Sequence, residues 1–274
     1  MRLRARHLLS VAGPALRPAA WLAAAVVLAG AGAYLTVSAA RALGSARAAH
    51  ASAGSARSFD GTSAVGALFS VTGGKLGTHF CTASVVHSPN ENLLITAAHC
   101  VWQRSPGSMV FVPGYHAGVS PHGRWIIRKI FVSSAWAASQ DPNDDVAFLL
   151  VGQAGTKIER HTGAEALEIG TPAGQVATVI GYPDTADRPI TCTARARGLR
   201  PGYKQLVFRC NDYTDGTSGG PFLAHVNPRT GTGQVVGVIG GYEGGGRTPD
   251  VSYAARFFSQ VQDLYKKAVA GSGT

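Results

Sequence analysis

The sequence predicts an all-β protein made of antiparallel barrels and closed by one α-helix. Three observations carry this. Short apolar, β-branched runs recur between turn signals; 35 glycines and 14 prolines in 274 residues favour tight turns over long helices; and only the C-terminal stretch repeats its apolar residues at helical spacing. Apolar residues are 45% of the chain, enough for a core, and charged residues only 15%, which excludes a disordered body. At this length an all-β chain forms one unit or two small barrels.

The chain begins with a leader. Residues 1–18 are basic and contain no acid, and residues 19–40 form an uncharged stretch that ends at Arg41. That pattern exports the following chain, with the positive flank left inside. A signal core runs about 7–15 residues and a bilayer-spanning helix needs about 20, so a cleaved signal peptide and a retained signal anchor within residues 1–40 both stand open. Residues 41–60 are small, polar and without apolar periodicity, a linker or pro-region. The body is 61–274.

Charge supports the same division. The chain carries 25 Lys plus Arg against 15 Asp plus Glu, a formal +10 that on its face suggests a nucleic-acid binder. Seven of the arginines (Arg2, Arg4, Arg6, Arg17, Arg41, Arg47 and Arg57) precede the first acid, Asp60. The rest of the chain has 18 bases against the same 15 acids, an ordinary soluble balance that leaves nucleic acid without support as a partner.

Strands are expected at 65–72, 80–86, 93–96, 109–112, 125–132, 146–151, 176–180, 206–210 and 235–239. Turn clusters such as Ser88-Pro89-Asn90, Pro113-Gly114 and Pro201-Gly202 separate them. In the closing segment, 255–269, Phe257, Phe258, Val261, Leu264, Tyr265 and Ala268 fall on one helical face, which packs against a barrel. All four cysteines (Cys81, Cys100, Cys192 and Cys210) lie in the exported part, and an even number in an oxidising compartment indicates two disulfides. Three pairings exist; the pairs close in sequence, Cys81 with Cys100 and Cys192 with Cys210, are the simplest. The absence of a C-x-x-C spacing argues against zinc, and no metal or cofactor is expected.

Three local features carry chemistry. In Leu94-Ile95-Thr96-Ala97-Ala98-His99-Cys100 an apolar strand runs through small residues into a histidine. In Asp145-Val146-Ala147-Phe148-Leu149 an acid leads directly into a core strand, where a carboxylate needs a partner to offset desolvation; a histidine N–H is such a partner. In Gly216-Thr217-Ser218-Gly219-Gly220-Pro221 glycines leave a serine hydroxyl unscreened and allow backbone N–H groups to converge on an oxyanion.

Together these motifs, in the order His, Asp, Ser, resemble the trypsin-like, chymotrypsin-fold serine peptidases over nearly all of residues 63–269. The resemblance implies two packed antiparallel six-stranded β-barrels, at about 61–155 and 170–253, with a C-terminal α-helix at about 255–269. It implies His99 as general base, Asp145 as its orienting acid, Ser218 as nucleophile and the N–H groups of Gly216 and Ser218 as oxyanion hole. It also matches Cys81–Cys100 to the bridge that brackets the catalytic histidine; Cys192–Cys210 rests on proximity. Thr217 departs from the digestive members, which carry an acid there that pairs with a newly cut N-terminus, so this chain looks closer to the bacterial branch that includes the glutamyl endopeptidases. Asp212 stands where a trypsin-like pocket has its selecting acid, and Gly240 and Gly241 resemble the strand that pairs with substrate. Ile239 replaces the histidine with which glutamyl endopeptidases meet a substrate carboxylate, against a glutamate preference. The expectation is an exported, monomeric serine endopeptidase with protein or peptide substrates. It is secreted, or tethered outside the cell by residues 19–40, its only route to a membrane. The alternative is a catalytically silent binding module of the same fold.

Overall fold

In the computed structural model, residues 54–153, 155–201 and 203–271 are described. The leader and most of the linker expected from the sequence lie outside these residues. After a two-residue strand, β1 (Arg57–Ser58), come six longer ones: β2 (Val65–Thr72), β3 (Lys75–Val86), β4 (Leu93–Thr96), β5 (Met109–Pro113), β6 (Trp125–Val132) and β7 (Ala147–Gly152). These six close the first barrel in the order β2-β3-β4-β7-β6-β5. Phe111, Phe148, Leu94, Leu149 and Ile127 are fully buried, as the near-continuous apolar runs require. Strand register places two chain ends side by side. Ile95 pairs with Phe148 and Thr96 with Ala147, so the residues just after β4 and just before β7 emerge at the same barrel end.

The second half is built from β8 (Ala166–Leu167), β9 (Gln175–Gly181), β10 (Ile190–Gly198), β11 (Gln205–Arg209), β12 (Pro221–Ala224), β13 (Gln234–Val238) and β14 (Val251–Ala255). They form a curled sheet with strand order β14-β11-β10-β9-β12-β13-β8. Its two ends meet through a single bridge, Ile239 to Ala254, and β8 adds in parallel outside β13. The short β1 pairs with the start of β10. The fold is therefore all-β, with one closed six-stranded barrel and a second sheet curled to near closure. Five strands go beyond those the sequence predicts: the two-residue β1 and β8, and the longer β10, β12 and β14. β10 carries Arg195 and Arg197 on its wet face, β12 is only four residues long and opens with a proline, and β14 follows directly on a polar turn, so none shows a long apolar run.

The closing helix spans Ser259–Ala270. It begins later than the periodicity suggests because Ala255 pairs with Gln205 as the last residue of β14. Val261, Leu264 and Ala268 are buried, and Tyr265 meets Phe148 edge-on at 5.7 Å, so the apolar stripe lies on the first barrel. Both disulfides pair cysteines near in sequence, Cys81–Cys100 and Cys192–Cys210.

The segment between the halves is anchored by Glu165. Its N–H donates to Val85 O at 2.8 Å and its carbonyl accepts from His87 N–H at 2.9 Å, both on the first barrel. Its side chain reaches the second, where Oε2 accepts from Gly233 N–H at 2.5 Å while Oε1 is buried without a partner. Burial pushes its pKa from an ordinary 4.5 up to about 8, against the opposing pull of the Gly233 N–H. A carboxyl raised in this way holds a proton in the folded state that the unfolded chain has released. Stability is thus lost as pH rises from roughly 4.5 through about 8. Glu165→Gln keeps the acceptor and removes the titration. In thermal melts the variant should match wild type near pH 5 and exceed it by on the order of a few kcal/mol at pH 9; melting curves that fall in parallel would show that Glu165 does not titrate in this window.

Candidate active site

His99 lies in a four-residue helical turn, Ala98–Val101, directly after β4. Asp145 closes a 3-10 turn, Pro142–Asp144, directly before β7. The shared register of β4 and β7 brings the two together. Asp145 is 1% exposed, and its carboxylate accepts three N–H groups: His99 N–H on Oδ1 at 2.8 Å, and His99 Nδ1–H and Gly241 N–H on Oδ2, each at 2.7 Å. A buried charge is tolerable only with this degree of satisfaction. Because the carboxylate can only accept, the imidazole proton sits on Nδ1, which leaves Nε2 with a free lone pair as a base. The ring is 30% exposed, so Nε2 is reachable.

The donor at Gly241 comes from the second barrel, and the chain there permits no side chain. A Cβ on Gly240 would stand 2.8 Å from Asp145 Oδ2, and one on Gly241 would collide with Gln205. Gln205 is 1% exposed and spans the same joint. Its Nε2 donates to Pro142 O at 2.9 Å and Asn143 Oδ1 at 3.2 Å, and its Oε1 accepts from Tyr242 N–H at 3.2 Å. The turn that carries Asp145 is thereby tied to the strand end that donates to it.

Ser218 lies in the loop before β12, half-buried, beside a cavity of about 210 Å³ lined by Thr214, Ser218, Ile239, Arg247, Thr248 and Ser252 among others. Its loop is pressed onto the first barrel. Gly219 has φ +81°, and a Cβ there would overlap Thr96 Oγ1 and Thr82 O and lie 3.1 Å from Ala97 N, two residues before His99. Ser218 O accepts from Thr82 N–H at 2.7 Å, and the neighbouring Cys81 is bridged to Cys100 beside His99. Gly216 has φ +88°, and a Cβ there would stand 2.5 Å from Tyr182 O. The N–H groups of Gly216 and Ser218 take no partner among the described residues, whereas those of Thr217, Gly219 and Gly220 are all bonded within the fold.

The other residues singled out from the sequence fall differently. Asp212 is exposed at φ +66° and is not among the residues lining the cavity. Gly240 N–H donates to Tyr253 O at 3.0 Å and Gly241 N–H to Asp145, so both N–H groups are used within the fold. Sequence reasoning missed Thr82 and Gln205, because a threonine or glutamine in a strand carries no signal until its partners from distant segments are known. The one group of three metal-ligand-type side chains among the described residues is Cys81, His99 and Cys100. Both sulfurs are spent on the disulfide and His99 Nδ1 on Asp145, so this donor set does not fit a metal ion.

A closed six-stranded barrel and a second sheet curled to near closure, with the Ser218 loop of the second pressed onto the first beside the strand that leads to His99, define the trypsin-like class of fold. The chain belongs to the trypsin-like peptidase domain family, which it matches over residues 77–238. It is similar to two solved proteases. One is the protease Anisep of Arthrobacter nicotinovorans (TM-score 0.66, 24% identity, covering 78% of this chain and 99% of that one). The other is the thermostable serine protease AL20 of an extremophilic microorganism (TM-score 0.65, 27% identity, 76% and 98%). A curated relative, the extracellular metalloprotease of Bacillus subtilis strain 168, is 28% identical over 110 residues, 39% of this chain. The chain spans about a third of that relative's length, 34%.

Close packing at Gly219 gives a direct check on the site's assembly. Gly219→Ala should lower the melting temperature by roughly 10 °C, whereas Gly118→Ala, at φ +80° with nothing within 4 Å, should cost no more than a few degrees. Equal shifts would mean that the Ser218 loop is not pressed against the first barrel.

Proposed function

We propose that the protein is an exported serine endopeptidase that cleaves peptide bonds through an acyl-enzyme, with His99, Asp145 and Ser218 as its triad. The observation that carries this reading is the Asp145 carboxylate, which fixes His99 as the Nδ1–H tautomer. Ser218 Oγ attacks the substrate carbonyl as His99 Nε2 takes its proton. The imidazolium, stabilised by Asp145, then protonates the leaving amine, and water repeats the sequence on the acyl-enzyme. The unpartnered N–H groups of Gly216 and Ser218 receive the oxyanion, each worth about 2.7–4 kcal/mol of transition-state stabilisation.

The cavity beside Ser218 takes the side chain that precedes the scissile bond. Thr217 stands where digestive members carry an acid; it is buried, donates its hydroxyl to Thr214 O at 2.7 Å and fills the space beside Gly181. A neutral, internally satisfied residue there needs no new N-terminus, so activation does not run through an N-terminal ion pair. Two disulfides and the export pattern of residues 1–40 support an extracytoplasmic location, as does the word extracellular in the relative's name. No helix among the described residues is long and apolar enough to cross a membrane; release by cleavage within the leader, or tethering by residues 19–40, depends on segments outside them.

A fluorophosphonate should label the oxidised protein stoichiometrically, and Ser218→Ala should abolish labelling. Folded, oxidised protein that resists labelling would favour the catalytically silent binding module. Labelling should also depend on His99 as base; a His99→Gln variant that is labelled at the wild-type rate would remove His99 from the role.

A further inference from the structure

We propose that the Thr82 hydroxyl is a positioning group for the oxyanion hole, acting on the Gly216 and Ser218 peptides from the opposite barrel. The proposal rests on the reading of Ser218 as nucleophile and adds a residue with no part in the triad. Thr82 lies in β3 of the first barrel and is fully buried. Each of its polar groups is committed. Oγ1–H donates to Gly216 O at 3.0 Å, and the same oxygen accepts from Tyr182 N–H at 2.9 Å. Its N–H donates to Ser218 O at 2.7 Å, and its carbonyl accepts from Thr96 Oγ1–H at 2.7 Å.

Peptide-plane geometry shows why this matters. The carbonyl of Gly216 belongs to the plane that also carries the N–H of Thr217, which is held by Thr214 O at 3.2 Å. That plane lies between the two planes whose N–H groups point away without partners, those of Gly216 and Ser218. Each plane is rigid, and only φ and ψ at the intervening residues are free. Gly216 is the loosest of these joints because it lacks a Cβ. Asp184 N–H on Asp215 O at 2.8 Å and Gly220 N–H on Thr217 O at 2.9 Å hold the far ends of the two flanking planes. Thr82 Oγ1 pins the oxygen end of the middle plane that joins them, and Thr82 N–H pins the carbonyl of Ser218, the plane that follows, so the hydroxyl sets the angle between the two free N–H groups. Without the hydroxyl, the Gly216 carbonyl and the Tyr182 N–H would both be buried and unpaired, and the cheapest relief is rotation of the middle plane, which turns the flanking donors away.

The test compares Thr82→Val, nearly isosteric but without a donor, with Thr82→Ser, which restores the hydroxyl, in the full oxidised chain. The readout is the second-order rate of fluorophosphonate inactivation, since the phosphonyl oxygen occupies the oxyanion position, together with kcat and KM on p-nitrophenyl acetate and the fraction of protein finally labelled. Thr82→Val should slow inactivation and lower kcat about 100-fold, the loss seen for one removed oxyanion donor, with KM within about threefold. Every folded molecule should still be labelled in the end, and Thr82→Ser should recover to within about fivefold of wild type. A merely structural role would instead reduce the labelled fraction and leave the remaining molecules at the wild-type rate, which would overturn the proposal. So would a Thr82→Ser as slow as Thr82→Val. Should the valine variant fail to fold, Thr82→Ala against Thr82→Ser carries the same comparison. Wild-type protein that is never labelled would overturn the serine-peptidase reading itself, and this proposal with it.

Discussion

The site depends on one buried charge. Asp145 is nearly solvent-free, and an ionised carboxylate there is unfavourable unless several donors replace its water. The fold supplies three N–H groups, two from His99 and one from Gly241. Because one donor comes from the second barrel, the carboxylate is satisfied only when the barrels are docked. The electrostatics that orient His99 therefore also help to hold the two halves of the fold in register. Gln205 reinforces the joint on one side and Thr82 on the other, each a buried polar side chain whose bonds cross between barrels.

Glycine is used at this joint for space as much as for conformation. At Gly240 a Cβ would press on the Asp145 carboxylate, and at Gly219 it would collide with Thr96 and Thr82. The Ser218 loop and the strand of Thr82 thus approach within hydrogen-bonding distance, backbone to backbone. The cost is local strain that only the surrounding contacts maintain.

Much of this was legible in the sequence where the signal is local. The runs at Leu93–Thr96 and Asp145–Leu149 showed a histidine and an acid beside core strands, and glycines around Ser218 showed an exposed hydroxyl. Strands with long apolar runs were visible; β10, with exposed arginines, and the short β1, β8, β12 and β14 were not, because their pairing comes from neighbours rather than composition. Near closure of the second sheet through the single Ile239–Ala254 bridge is a property of three-dimensional curl, with no sequence pattern of its own. Asp212 shows the converse. Six residues before Ser218 it looks like a pocket acid, yet it is exposed and does not line the cavity beside Ser218. Thr82 and Gln205 are ordinary strand residues whose importance lies wholly in long-range partners.

The hold of Asp145 on His99 is tested most directly by the tautomer of the ring, read by nitrogen NMR on protein carrying labelled histidine, at a pH where the ring is neutral. A carboxylate that accepts from Nδ1 while Gly241 holds its other side predicts a protonated Nδ1 coupled to its hydrogen and a bare, pyridine-type Nε2. Asp145→Asn should release that preference. A His99 found with its proton on Nε2 in the wild-type protein would contradict the account, since neither the base nor the carboxylate that orients it would then stand as described.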